Sequence, residues 1–302
     1  MSTVSVTLLI VVALFIILLL LYLGVKLVRK EHIFSRDRMA SMCPQKLLIK
    51  GIIRQSNKLQ EHEKNAQQWR HFNYPIGNST MAIPYVHIVK ENPTDTLVIC
   101  HGAAYELEYC FKEYKKISDA YNVSIVSVEY PGFGQRGHEK LTENALLKTY
   151  PQEVLYLIND HLQIDWKNIS ILGQCLGAPI ALRIAAQPCV SKKIKHLYLT
   201  KPWSSLHTAL KGVTSTRLIK HITRLIPDLF ETDETITSKI YAPVKCVQGD
   251  ADLVCQKQDT QKLLDKMTNA KTREMYLLPG DGHTVLMVKM FEFMQTSSPQ
   301  HS

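Results

Sequence analysis

Five residues near the middle of the chain, Gly173-Gln174-Cys175-Leu176-Gly177, stand directly between an apolar β-rich run (168–172) and an Ala-rich helical run (176–187). A strand that passes into a helix with no linker must turn sharply. The turn projects one side chain into the open, and glycines on either side let strand and helix approach where a Cβ would clash. The projecting residue is Cys175, at a helix N-terminus, where negative charge is stabilised. The stretch therefore reads as a G-x-nucleophile-x-G turn, and it requires a strand exit flanked by a packed helix.

The rest of the chain supplies that setting. Strands are expected over 85–89, 96–100, 124–130, 168–172, 196–200, 244–248 and 274–278. Between them lie helical patterns over 105–121, 142–162, 176–187, 257–267 and 284–294, with Pro151 expected to kink or split the second. Such alternation predicts an α/β fold: a mostly parallel sheet with helices on both faces. Sites in such sheets form in the loops at the C-terminal strand ends. No internal repeat or low-complexity tract interrupts the pattern.

The N-terminus is different in kind. Val6–Val25 is a run of 20 residues without a charge, long enough as a helix to cover roughly 30 Å of hydrocarbon. A cleaved signal peptide would carry a basic n-region and a shorter apolar core. Here nothing before Val6 is charged, and the run ends in Lys26, Arg29 and Lys30. We therefore expect a transmembrane anchor preceding the α/β domain. Lys26–Arg70 holds 11 Lys/Arg against 4 Asp/Glu, most of the chain's formal +9. Positive charge beside a membrane segment favours the cytosol, so a single-pass protein with a cytosolic C-terminal domain is expected, in contact with membrane lipid. The organisation reads as an anchor (1–25), a basic connector (26–71) and a catalytic-sized domain (72–302) with a short lid region near 204–238. Nucleic acid is not an expected partner, because the basic stretch adjoins an anchor and carries no recognition module.

The seven cysteines are odd in number and contain no C-x-x-C pair, which fits a reducing compartment rather than a disulfide framework or zinc site. Three N-x-S/T sequons, at Asn78, Asn122 and Asn168, are read as chance occurrences, the last two because they open strand-like runs.

From about Tyr85 onward the chain resembles the α/β-hydrolase superfamily, and within it the membrane-anchored serine-hydrolase-like members. The motifs run in order. Cys100-His101-Gly102-Ala103 resembles the oxyanion loop, Glu129-Tyr130-Pro131-Gly132-Phe133-Gly134 the D-Y-P-G-[YF]-G turn, and Pro202-Trp203-Ser204-Ser205 the P-[FW]-x-S step. Gly249-Asp250-Ala251-Asp252 resembles the acid loop, and Gly282-His283 the position of the base. The resemblance implies Cys175 as nucleophile, Asp252 as acid with Asp250 and Asp281 as rivals, and His283 as base. It implies an oxyanion hole from the backbone N–H groups of Ala103 and Leu176. His101 is expected to brace its loop rather than to move protons. No cofactor and no metal are implied.

The departure from the family is Cys175, where relatives carry Ser. Three readings stand at this level: a working thiol nucleophile, a silent lipid-binding or scaffold pseudoenzyme, or a small buried residue. A thiolate is a better leaving group than an alkoxide, so a Cys enzyme in this fold favours thioesters and activated esters. The first reading is thus a hydrolase, an esterase or thioesterase acting on acyl-bearing lipids or lipidated proteins. A second departure, Gln135-Arg136-Gly137, is expected at the pocket entrance. The apolar residues of 204–238 (Leu206, Leu210, Leu218, Ile219, Ile222 and Leu225) suggest an amphipathic helix, packed on the core or serving as a lid.

Overall fold

The computed structural model describes residues 69–103, 106–205, 208–209, 230–283 and 287–296. The expected anchor, most of the basic connector and the six apolar lid residues lie outside these. Among the described residues, no helix is long and apolar enough to cross a membrane.

Eight strands form one sheet: β1 Trp69–Ile76, β2 Ser79–Ile88, β3 Asp95–Cys100, β4 Val123–Val128, β5 Ile169–Gln174, β6 Leu197–Thr200, β7 Val244–Gly249 and β8 Arg273–Leu278. Their order is β1-β2-β4-β3-β5-β6-β7-β8. β1 and β2 pair antiparallel, as do β2 and β4, and every later pairing is parallel. The principal helices are α1 Leu107–Tyr121, α2 Tyr150–Tyr156, α3 Gly177–Ala185, α4 Lys257–Asp265 and α5 Met287–Thr296.

Both faces of the sheet are buried, and the alternation of side chains shows how. Val98 and Cys100 of β3 join one apolar cluster with Leu146, Val154, Ile180 and Leu263, under α2, α3 and α4. Leu97 and Ile99 point the other way, into a cluster with Tyr114, Ile117, Met290 and Phe291 of α1 and α5. Strands buried on both faces are expected to be continuously apolar, which is why short runs such as Leu-Val-Ile-Cys read as strands.

Two local differences have physical causes. The hairpin β1–β2 was not expected, and β1 begins at Trp69, inside the stretch read as connector. Most of its residues are exposed, with only Phe72 buried in β1, so it carries little apolar alternation. Its Gly77-Asn78 turn is the local signal for a hairpin, with Gly77 at φ 56°. The helical run 142–162 is not split at Pro151. Pro151 lies where the π turn Ala145–Thr149 passes into α2, a place where the regular hydrogen-bond ladder is already altered. Wider π turns at Ala145–Thr149 and Leu157–His161 flank it instead.

The order β4-β3-β5 places a topological switch between β3 and β5: the chain leaves β3 towards one side of the sheet and returns on the other. Cys100, the last residue of β3, pairs with Gly173 of β5. The oxyanion-like loop and the Cys175 turn therefore leave adjacent strand ends, where ligands bind in open α/β sheets.

Candidate active site

Cys175 follows β5 immediately and has φ 50°, a left-handed conformation that a side-chain-bearing residue adopts at a cost. Backbone bonds hold it there: its N–H donates to Thr200 O (2.9 Å), and its carbonyl accepts from Ala178 N (3.0 Å). The glycines have the role inferred from sequence. A Cβ on Gly173 would stand 2.7 Å from the Cα of Ala178 in α3, and one on Gly177 would fall on the Cys100 carbonyl. Gly177 thus seats α3 against the 100–103 loop.

Asp252 and His283 leave the ends of β7 and β8. His283 Nε2 lies 3.4 Å from Cys175 Sγ, and His283 Nδ1 lies 2.9 Å from Asp252 Oδ2 and 3.2 Å from Oδ1. Asp252 has a fully buried side chain and also accepts backbone N–H groups from Val254 (2.8 Å) and Cys255 (2.9 Å). Its two rivals are engaged elsewhere. Asp250 accepts the Gly280 N–H at 2.7 Å, and Asp281 pairs with Lys289 at 2.6 Å.

The electrostatics of the cluster favour an ion pair. The pKa of Cys175 is held well below the ordinary thiol value by the neighbouring Cys255 side chain; burial opposes this, and His283 and the Trp203 side chain reinforce it. Burial works against the His283 charge, but Asp252 and Cys175 outweigh it and push its pKa up to about 9. Burial lowers the pKa of Lys201, whose charge is felt by Cys175, Asp252, Glu113 and Cys255.

The 100–103 loop is clamped by the Glu129–Gly134 segment. His101 is fully buried. Its Nδ1 lies 3.0 Å from Gly102 O, its Nε2 lies 3.4 Å from Glu129 Oε1, and its ring stacks on Tyr130 at 4.0 Å. Tyr130 O–H donates to His101 O at 3.0 Å, and Glu129 accepts the Leu107 N–H at 3.2 Å. His101 is therefore a brace, as expected. Ala103 is exposed at the end of this loop, and Leu176 is buried at the head of α3.

Arg136 is not at the pocket entrance. It is 2% exposed and turned inward, against sequence expectation. Its guanidinium donates twice to Glu153 (2.7 and 2.9 Å), twice to Glu139 (2.6 and 2.8 Å) and once to Glu129 O (3.0 Å). A planar fork bound by two carboxylates is a bidentate clamp, and it locks the segment that braces the oxyanion-like loop.

Sequence reasoning missed Cys255, whose N–H bonds Asp252 and whose thiol bonds the Lys201 carbonyl, and the influence of Trp203 on Cys175. Trp203 lay within a motif but had no assigned partner. Cys255 follows Asp252 by three residues, and no spacing rule marks it. Asp252, Cys255 and His283 each place one donor atom within 4.8 Å of the others, a spacing open to a metal. The Asp252–His283 bond and the backbone bond from Cys255 to Asp252 account for the same closeness without one.

A family model described as Esterase FrsA-like matches residues 53–221, more than half of the chain. The chain belongs to the FrsA-like esterase family. A similar protein is one of Acanthamoeba polyphaga mimivirus named "Putative alpha/beta hydrolase L404". It is 28% identical over 69% of this chain and 75% of its own. Among solved structures, an alpha-beta hydrolase of Vibrio vulnificus is similar with a TM-score of 0.59 at 17% identity, covering 84% of this chain and 92% of that one. A Bacillus anthracis bromoperoxidase gives 0.55 at 14%, covering 75% and 97%. The Pyrococcus furiosus esterase Pf2001 gives 0.53 at 12%, covering 76% and 87%. These structures establish the α/β-hydrolase fold for this FrsA-like chain.

The ion pair predicts a pH profile. The Cys175 thiolate is lost on the acid side as it gains its proton, and its imidazolium partner on the alkaline side as His283 loses its proton near about 9. Alkylation of Cys175 by iodoacetamide is expected to stay fast at pH ~6, where an ordinary thiol with pKa ~8.5 is almost wholly protonated. Alkylation that follows an ordinary thiol titration would contradict the pairing.

Proposed function

We propose that this chain hydrolyses acyl thioesters and activated esters of lipid-like or lipidated substrates through Cys175, His283 and Asp252, at a membrane to which residues 6–25 anchor it. The observation that carries the reading is the line of contacts from Asp252 through His283 to Cys175, ending on a residue at positive φ. Cys175 attacks the acyl carbon, and the oxyanion is received by the backbone N–H groups of Ala103 and Leu176. His283 gives its proton to the leaving group, then takes one from water, and water releases the acyl group from sulfur. Asp252 holds the imidazole in the required tautomer and orientation. A silent site has no need to hold Asp252 and His283 in register with Cys175.

Leaving groups set the substrate class. A tetrahedral adduct on sulfur expels the better leaving group. An alkyl alkoxide is poorer than the enzyme's thiolate, so plain esters fall back to the starting state, whereas thiolates, enolates and aryl oxides depart.

The test is a panel of acyl thioesters, aryl esters and alkyl esters sharing one acyl chain. The thioester and aryl ester are expected to turn over at least ~100-fold faster in kcat/KM than the alkyl ester, a difference of about 2.7 kcal/mol in barrier. Cys175→Ser should narrow that gap. Equal rates on all three substrates would overturn the leaving-group argument.

The cytosolic orientation has its own test. Asn78 is exposed at the β1–β2 turn, where a sequon is accessible to a glycan. The protein expressed in eukaryotic cells is expected to show no glycosidase-sensitive mass; a glycan on Asn78 would place the domain on the other side of the membrane.

A further inference from the structure

His283 stands on the loop between β8 and α5, and the two ends of that loop are held in different ways. On the β8 side the loop is stitched to the acid turn. The Gly280 N–H donates to Asp250 Oδ1 at 2.7 Å, the Ala251 N–H donates to Asp281 O at 3.1 Å, and a Cβ on Gly249 would fall on the Asp281 carbonyl. On the other side the chain enters α5, which begins at Met287, four residues after His283. There the Val288 N–H donates to Glu113 Oε1 at 2.9 Å, across 175 residues of sequence. The N–H groups of a helix's first turn have no partner within the helix, so a carboxylate that accepts one of them fixes where the helix starts.

We propose that Glu113 is a positioning residue for His283: by holding the first turn of α5 against α1, it fixes the loop from which His283 reaches both Asp252 and Cys175. The proposal rests on the hydrolytic reading of the site and adds to it a residue that touches none of the three. The helix that carries Glu113 is tied to the other side of the site as well. At its start, the Leu107 N–H donates to Glu129 Oε2 at 3.2 Å, and Glu129 faces His101 in the oxyanion-like loop. Glu113 follows Leu107 by six residues, about 9 Å along the helix axis. One element, α1, thus sets the His283 loop at a fixed spacing from the brace of the oxyanion-like loop. Burial pushes the Glu113 carboxyl above its ordinary pKa, and the Val288 N–H, the Lys201 charge and the Met287 N–H oppose it. That is the setting of an acceptor committed to a helix start.

The other contacts of α5 do not replace this one. Lys289 pairs with Asp281 at 2.6 Å, but its side chain is 55% exposed, and such pairs contribute little. The Phe291 ring meets Tyr121 at 5.0 Å and Tyr198 at 5.2 Å. Apolar packing is non-directional and leaves the position of the helix along its own axis open. A displacement of about 1 Å at a reacting group can cost on the order of 10²-fold in rate.

The experiment compares the full wild-type chain with Glu113→Ala, Glu113→Gln and Tyr121→Leu. One readout is iodoacetamide alkylation of Cys175 at pH ~6, followed by peptide mass, which depends on the paired thiolate and needs no turnover. The other is kcat and KM on an aryl ester. Absence of hydrolysis in every protein, the wild type included, would sink the hydrolase reading and still leave the alkylation comparison to judge Glu113. Glu113→Ala is expected to slow alkylation at least ~10-fold, towards an ordinary thiol with pKa ~8.5. It should lower kcat on the order of 10²-fold, with KM within about twofold because substrate binding is untouched. Gln keeps an oxygen for the Val288 N–H, so Glu113→Gln should return both readouts to near wild type. Tyr121→Leu loosens the same two helices without touching the Glu113 bond; it should lower Tm and leave alkylation at the wild-type rate. If Glu113→Ala does not fold, Glu113→Met, which fills the space without an acceptor, is read in its place. A folded Glu113→Ala protein with wild-type alkylation and kcat would overturn the proposal. So would a Glu113→Gln protein as impaired as Glu113→Ala, or a Tyr121→Leu protein as slow to alkylate, because these trace the effect to charge or to general packing.

Discussion

Cys175→Ala is expected to abolish labelling by thiol-reactive acyl probes at the pocket and to lower aryl-ester turnover on the order of 10⁶-fold, the cost of removing a nucleophile from a cooperating set. Alanine removes the sulfur at a position of φ 50°. It also leaves His283 Nε2 without the sulfur it faces at 3.4 Å. His283→Ala should cost nearly as much, and the double variant little more than either single one, because residues that act as one unit are not additive. Thermal unfolding measured alongside separates chemistry from folding. Retention of more than a few per cent of turnover in a folded Cys175→Ala protein would sink the nucleophile assignment.

Arg136→Ala is expected to cost about 3–5 kcal/mol of stability, the usual consequence of removing one partner from a buried ion pair. The reason is the carboxylate left behind. Glu153 has no exposed side-chain surface, and without Arg136 its charge is buried and unpaired. Against a total stability of about 5–15 kcal/mol, such a loss brings the domain near unfolding, and denaturant titration reads it directly. Arg136→Lys keeps the charge but not the fork, so an intermediate loss is expected. Activity should fall as well, since Arg136 bonds the Glu129 carbonyl and Glu129 faces His101. A loss under about 1 kcal/mol would mean that Glu153 finds another partner.

The two variants also mark how far the sequence could be read. Cys175 was legible because its signal is local: two glycines, a strand before and a helix after, all within a short window. The parallel sheet was legible for a similar reason, since apolar runs buried on both faces alternate with helical periodicity. The β1–β2 hairpin was harder, because an edge hairpin that is mostly exposed has little apolar pattern to display. Its Gly77-Asn78 turn was the one available clue. Arg136 was misplaced because a charged residue in a loop gives no sign that two carboxylates, three and seventeen residues away, will enclose it.

The sequence by itself determined the order of the chemistry-bearing residues along the chain, the strand exits on which they sit, and the thiol that stands at the turn between strand and helix. These follow from short-range spacing and backbone geometry, which a linear chain records. The tertiary structure alone decided which carboxylate meets His283, that His101 and Glu129 form a brace, that Arg136 turns inward, and that Cys255 bonds Asp252 and Lys201. Those outcomes depend on side chains from separate strand ends approaching within about 3–4 Å, the range of a hydrogen bond to nitrogen, oxygen or sulfur. Such approach is set by how the sheet twists and the helices pack, and sequence separation carries no record of it.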